Sequence, residues 1–590
     1  MSLLSVRRSG RGGRGLPPPV AFNLETALSD AVTSANAAPG TTADVNIPAG
    51  TLLLLSTASK PRVSASGSKV RLIGAGISAT RIAGAPGFDP AARLLNPNSL
   101  TLDKDPWDVA SPVLVASVAR GALTLTRTGG AAASTGYYHL ADDAVQYDGT
   151  TKFNTALVKV TVVNGATLTL DEACPIDASV GVVALYPTGP SVCEGFELHN
   201  LTVDGYVDGS YLNVPIYGYY LNHVGLYNVR FTRFSRAAIQ VFRSRHVRTS
   251  NFQADTMEPA FHETVGKGAG LDLYASHDII GAGFTFDNLR HGIELSMCQD
   301  GQFDNGTIAN SWGNSIDAHG QRSVNCSFDN WTSDPEPGLS APSLYAVRFG
   351  NESFKDWETG HSLSNADLGG TDILCCGARD CTFDNITGVR RIRLEGNTDA
   401  DLGGDIYPQS VVFTNGHSQA DATGYNFYGP SGGFKRFTGI QVWDWLFEGH
   451  TAGTVANWEF DTIDGSSDIL FDGCWFDNSL NSATKAILAH AAAAPSGTLT
   501  VTIRNSIFNL NALSDAFAQS QTNSPTIILH LIDNVQCKTG DVSFSAPASA
   551  GNYTLATNTG NKVVQAVEPV PASVAAMIVR RDAIIASVQE

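Results

Sequence analysis

Between about residue 195 and residue 540, short runs of alternating apolar and polar residues recur, as in "AAIQVFRSRHVRTSNF", "GLDLYASHDIIGAGFTFDN", "GIELSMCQDGQFDN" and "SIDAHGQRSVNCSFDN". Alternation with a period of two marks strands that bury one face. The first inward aliphatic positions of successive runs are Ile239, Leu271, Ile293, Ile316, Val347, Ile373 and Ile392, close together and unevenly spaced. Strand units that recur at such a short interval, with loops absorbing the differences in length, predict a stacked solenoid. The triplet Phe-Asp-Asn fits that picture. It occurs at Phe286–Asn288, Phe303–Asn305, Phe328–Asn330, Phe383–Asn385 and Phe476–Asn478. In a parallel stack with coils about 4.8 Å apart, each Phe would point into the core and lie on the next. Each Asn would take a bend, where it tolerates left-handed backbone and bonds to the Asn above.

The flanks read differently. Leu24, Ala27, Leu28, Ala31 and Val32 fall at helical spacing, and Val45 and Ile47 open a strand that turns at Pro48–Gly50. These belong to a segment, 21–99, of cap helix and first coils. "GAGISAT" there loosely matches a phosphate-binding loop but lacks the Lys and the following helix. Residues 100–190 carry short alternating strands without triplets, which predicts an inserted β module before the main helix, 191–540. Residues 1–20 form a basic arm with four Arg, four Gly and three Pro, either disordered or a peptide that docks on a larger particle. Residues 541–590 end in helical spacing at Val574, Ile578, Ala583, Ile584 and Val588, expected to cap the stack or knit a trimer.

Composition narrows the function. Of 590 residues 16% are charged and 58 are Gly, which suits a turn-rich all-β chain. The net charge of −18 argues against a general nucleic-acid binder, whose ligand it would repel. No apolar run is long enough to insert in a membrane, and no secretion signal is recognisable at the start. The nine cysteines are scattered without metal-like spacing and read as buried fillers.

"ALSDAVTSANAAPGTTADVNIPAGTLLL" followed by "VRLIGAGISATRIAG" resembles the first segment of pectate-lyase-like right-handed parallel β-helix proteins, bacteriophage tailspikes and tail depolymerases above all. "RHGIELS…NSIDAHGQRSVNCSF" is similar to an Arg-His…Asp-x-His-Gly pattern in some phage tail β-helices. The resemblance covers about residues 22–540. It implies a homotrimer on a virion tail or baseplate, assembled in the host cytoplasm and aimed at a bacterial capsule or lipopolysaccharide O-chain, with no cofactor. The chain departs from the group in two ways. Only the short basic arm precedes the cap, where many tailspikes carry a particle-binding head. Neither the polygalacturonase motif set nor the Asp-Pro-His-Glu motif of alginate epimerases is present.

Candidate chemistry follows from strand alternation. The residue after each inward aliphatic faces outward, giving the column Gln240, Asp272, Glu294, Asp317, Arg348, Leu374, Arg393. A neighbouring column reads Phe242, Tyr274, Ser296, His319, Gly350; another, Ala238, Gly270, Gly292, Ser315, Ala346, is small enough to leave a trough. Three acids on consecutive coils would lie about 5 Å apart in backbone, within reach of either glycosidase geometry. Glu294, between two acids, is expected to hold a proton and act as general acid, with Asp317 or Asp272 as base or nucleophile. His319, Arg290, His291, Tyr274, Arg348 and Trp312 are candidates for holding substrate. The rival readings are a solvated acidic face, a Ca²⁺ site at the ladder, a purely adhesive groove, and a uronate lyase using Arg348 and His319. A second cluster, Arg230, Arg233, Arg236, Arg243, Arg245 and Arg248, reads either as pairing with acids across subunits or as recognition of an acidic polysaccharide. Trp331, Trp357, Trp443 and Trp445 are candidates for stacking on sugar rings or for packing.

Overall fold

The structure, a computed structural model, describes residues 22–589 apart from connecting stretches, the longer being 56–67, 96–110, 145–153, 256–267, 336–344, 450–457 and 540–552. The basic arm 1–20 and His319 lie outside the described residues. Among the described residues a 36-stranded sheet system is built of parallel neighbours, each strand pairing with the equivalent strand one coil on. This is a parallel β-helix. A typical coil has a strand Ala237–Phe242, a corner at Arg243–Ser244, and a longer strand Arg245–Asp255 that bends at Asn251 to line two further faces.

The bends explain the triplets. Asn228, Asn251, Asn305, Asn330, Asn365 and Asn385 all have φ between 51° and 58°, the region Asn tolerates better than most residues. Their amides bond up the stack: Asn330 Nδ2 donates to Asn305 Oδ1 at 2.7 Å and Asn385 Nδ2 to Asn365 Oδ1 at 2.8 Å. The Phe residues stack beneath, Phe303 on Phe328 at 5.1 Å and Phe476 on Phe508 at 5.4 Å. Two triplets differ. Asn478 ends the strand Trp475–Asn478. Phe286 is buried, but Asn288 turns a different corner, the one leading into the strand His291–Ser296.

The first helix, α1 (Leu24–Ala37), buries Leu24, Leu28, Ala31 and Ala35 and starts at Asn23, whose Oδ1 accepts from Thr26 N at 3.1 Å. It packs on the first strands and closes that end of the core. The inserted module is a closed antiparallel barrel of six strands, from Val113–Val115 to Val183–Pro187, with its own apolar core. The last helix, α2 (Val574–Gln589), lies along the flank of the final coils. Met577 is buried against Leu446, Trp475, Ile507 and Val535, which stand in register on four successive coils. Arg581 fastens it to Asp444 and Gly473, and Arg580 to Glu568. The eight described cysteines are all buried.

Candidate functional site

The inward column runs in register from Ile239 through Leu271, Ile293, Ile316, Val347 and Ile373 to Ile392, each at most 1% exposed. The pairing therefore stacks Gln240, Asp272, Glu294, Asp317, Arg348, Leu374 and Arg393 in one line. Tyr217 extends that line one coil earlier, opposite Gln240.

Members of the line differ in burial, and that separates their roles. Asp272 and Glu294 are half-buried. Asp317 is fully buried. Arg348 grips it with two parallel hydrogen bonds of 2.7 Å, and His291 Nδ1 lies 3.2 Å from the Oδ2 that also accepts from Arg348 Nη2, and 3.3 Å from the Asn314 carbonyl. Burial pulls the Arg348 guanidinium down, but Asp317 and Glu294 outweigh it, so it stays firmly charged. Asp317 is thus a charge-paired anchor: with no solvent contact and both oxygens on Arg348, it is not placed to meet a water or a sugar as Asp272 and Glu294 are. Gln240 Nε2 donates to Asp272 Oδ2 and orients it from the preceding coil. Arg290 packs against Gly313 at the corner before the site strand, its charge disfavoured by burial and then favoured by Asp317 and Glu294. Trp312 lies against Gly268 at the same corner. Of the expected site residues, the fold brings Asp272, Glu294, Asp317, Arg290, His291, Tyr274, Arg348 and Trp312 to this face.

Two expectations need correction. The small column does not open a trough. A side chain added at Gly270 or Gly292 would strike the buried ring of Phe286, at 2.5 and 2.8 Å, so these positions are small to admit a core aromatic. Trp331 and Trp445 are core residues, at 2% and 0% exposure, and Trp357 is covered by Arg379, 4.0 Å from its ring centre. No group of three or more His, Cys, Asp or Glu suited to a metal is present among the described residues; at the ladder, Arg348 supplies the positive charge that the rival Ca²⁺ reading would have assigned to an ion.

A feature the pattern did not disclose is an aromatic strip leading into the acids. Tyr217, Tyr219, Phe242 and Tyr274 are half-buried; Phe242 lies 4.7 Å from Tyr217, 4.8 Å from Tyr219 and 5.2 Å from Tyr274. The hydroxyls of Tyr217 and Tyr219 share a hydrogen bond of 2.6 Å. The sequence signal was available, since Phe242 and Tyr274 share a column, but Ile216–Tyr219 is too short to be recognised as a coil strand by periodicity. The barrel borders this strip: its Ala144 packs with Tyr274, Ala275 and Met297, and its Leu157 and Tyr137 with Tyr219 and Tyr220.

The face defines a class of site: a carboxylate pair beside an aromatic platform on the outer wall of a parallel β-helix. No protein-family model matches the sequence, and no curated protein matches it. Solved structures do show a similar winding. The tailspike gp61 of Pseudomonas phage phi297 is 14% identical, with 90% of this chain and 76% of that one covered at a TM-score of 0.39. The tailspike gp49 of Pseudomonas phage LKA1 is 12% identical, with 92% and 77% covered at 0.37. The gp54 tailspike of Acinetobacter baumannii bacteriophage AP22, solved with a capsular saccharide, is 12% identical, with 91% and 76% covered at 0.42. These likenesses concern the course of the backbone and assign neither reaction nor ligand.

Proposed function

We propose that this face binds a bacterial surface polysaccharide lengthwise along the stack and hydrolyses it internally, and that the chain serves as a homotrimeric tailspike in host adsorption. The observation that carries the reading is the aromatic strip ending, in register, at the half-exposed pair Asp272 and Glu294. Aromatic rings give apolar sugar faces a flat partner, and paired carboxyls are the usual tools of glycoside cleavage. Glu294 acts as general acid, passing its proton to the glycosidic oxygen as the bond from that oxygen to the anomeric carbon breaks. Asp272, oriented by Gln240, either takes a proton from a water that adds to the anomeric carbon or attacks that carbon itself; water then releases the sugar. Asp317, fixed by Arg348 and His291, holds the strand end that carries the site.

The lyase alternative loses its cation, because Arg348 is committed to Asp317. The adhesive alternative keeps the strip and dispenses with the acids. Incubation with capsule or O-chain preparations, read as new reducing ends, separates the two. Wild type is expected to release them, with Glu294→Gln and Asp272→Asn slower by about 10²- to 10⁴-fold. Binding without product, or equal rates in both variants, sinks the hydrolytic assignment. Light scattering of the purified chain is expected to give three times the chain mass.

A further inference from the structure

The arginine-rich stretch 230–248 does not serve the acid column, and most of it pairs within the chain rather than across subunits. Arg245, 3% exposed on its side chain, joins Asp171 of the barrel at 3.0 Å, and Arg248 joins Asp278. Arg230 and Arg233 turn instead to a different face of the early coils. There the register stacks Arg81, Thr202 and Arg230 in one outward line, and these residues with Arg233, Asp204 and Thr232 line a recess of about 360 Å³, within the usual range for small-ligand sites.

Three charges of one sign meet two of the other. Asp204 is fully buried and paired with both Arg81 and Arg233, whose Nε donates to Oδ1 at 2.9 Å. Asp255 accepts from Arg230 Nε and Nη2 at 3.1 and 3.0 Å and from the Thr232 hydroxyl at 3.1 Å. Among the described residues, one net positive charge is left in the recess. Burial, and then Arg233, disfavour the charged form of Arg81, as expected for cations crowded together. Arg233 sits at a corner of the coil. Arg233 has φ 59°, while the register-equivalent corners further up the stack are Asn288 and Asn310, at 53° and 50°. Asn is the more usual choice at such corners, although Arg243 and Arg322 take the same region at 49° and 53°. Here the guanidinium is held over Tyr206, 4.5 Å from the ring centre, with an edge on Asp204.

We infer that the recess is an anion site that takes the carboxylate of an acidic sugar, such as a uronic acid residue, on a face separate from the acid column. A monoanion matches the single surplus charge and the donors that Arg230 and Arg81 keep beyond their carboxylate contacts, whereas a phosphoryl dianion would overfill the recess. The inference holds whether or not the chain cleaves its ligand.

Titration of the full chain with sodium glucuronate at low salt tests it by calorimetry. Wild type is expected to bind, and glucose is not. Arg230→Gln is expected to weaken binding at least tenfold, as is Arg230→Lys, which keeps the charge and loses the fork. Arg230 is 45% exposed, and its loss leaves Asp204 with both of its arginines; Asp255 keeps the Thr232 hydroxyl but loses its cation, so a lower melting temperature is expected and binding is compared well below the variant's unfolding transition. Glu294→Gln is expected to bind as wild type does. No glucuronate binding, equal binding by the Arg230 variants, or tighter binding of inorganic phosphate overturns the site. Loss of binding in Glu294→Gln also overturns it, by moving the sugar to the acid column, and leaves the hydrolytic reading standing.

Discussion

Asp317 and Glu294 are neighbours in register, yet their surroundings give them opposite work. Asp317 has no solvent contact and a bidentate partner, so removing that partner strands a buried charge. Arg348→Met is expected to lower unfolding stability by about 3–5 kcal/mol in a urea titration. Adding Asp317→Asn to it should recover part of the loss, since no charge is then left unpaired. Asp317→Asn alone should disturb stability more than chemistry, and Asp272→Asn the reverse. Comparing the melting temperatures and reducing-end rates of these two variants checks the division directly. The same scale governs the core stack. Phe328 lies on Phe303 at 5.1 Å with ring planes 12° apart. Its truncation to Ala is expected to cost about 3–5 kcal/mol.

Among elements, the seam between barrel and solenoid is the most distinctive. It is closed by Arg245 on Asp171, by Lys159 on Glu194 at 3.2 Å and by His246 on Glu172 at 3.0 Å. It also buries two histidines beside cations. His139 is held well below the usual range by burial, then by Arg243 and His277. His277 is brought down to about 3 by burial, then by Arg245 and His246, with Asp278 and Asp171 opposing. Both are neutral when folded and would be protonated when unfolded below about pH 6.5. The unfolded chain then binds more protons, so the seam contributes its full stability above that pH and loses it as pH falls toward about 3. The melting temperature should therefore drop through that window, and His277→Gln should flatten the drop. A parallel slope in the variant would remove His277 as the cause. The last helix behaves as a side brace: removing 574–590 uncovers Leu446, Trp475, Ile507 and Val535, and the truncated chain is expected to bind a hydrophobic dye that the full chain does not.

At the scale of the whole molecule, period-two alternation recurring once per coil was enough to assign the solenoid, and the seven aliphatic anchors lie in the register they suggested. The reason is physical: in a parallel stack, one buried residue per coil must meet its neighbour above, so a linear pattern becomes a vertical one. Hence the line from Gln240 to Arg393 could be read in advance, as could the Asn bends and the Phe stack. What the pattern could not supply was depth. Whether Asp317 is wet or dry depends on Arg348 and His291 closing over it, and whether Gly270 opens a groove or admits Phe286 depends on a ring carried by the next strand. The barrel's place beside Tyr219 and Tyr274, and the meeting of Arg81 with Arg230 and Arg233, join segments far apart along the chain. Alternation determined which way the side chains from the aliphatic anchors onward point; only the closed tertiary structure decided that the small residues before them turn to Phe286 and which outward side chains water still reaches, because burial is a property of everything packed around a residue and not of the residue's own strand.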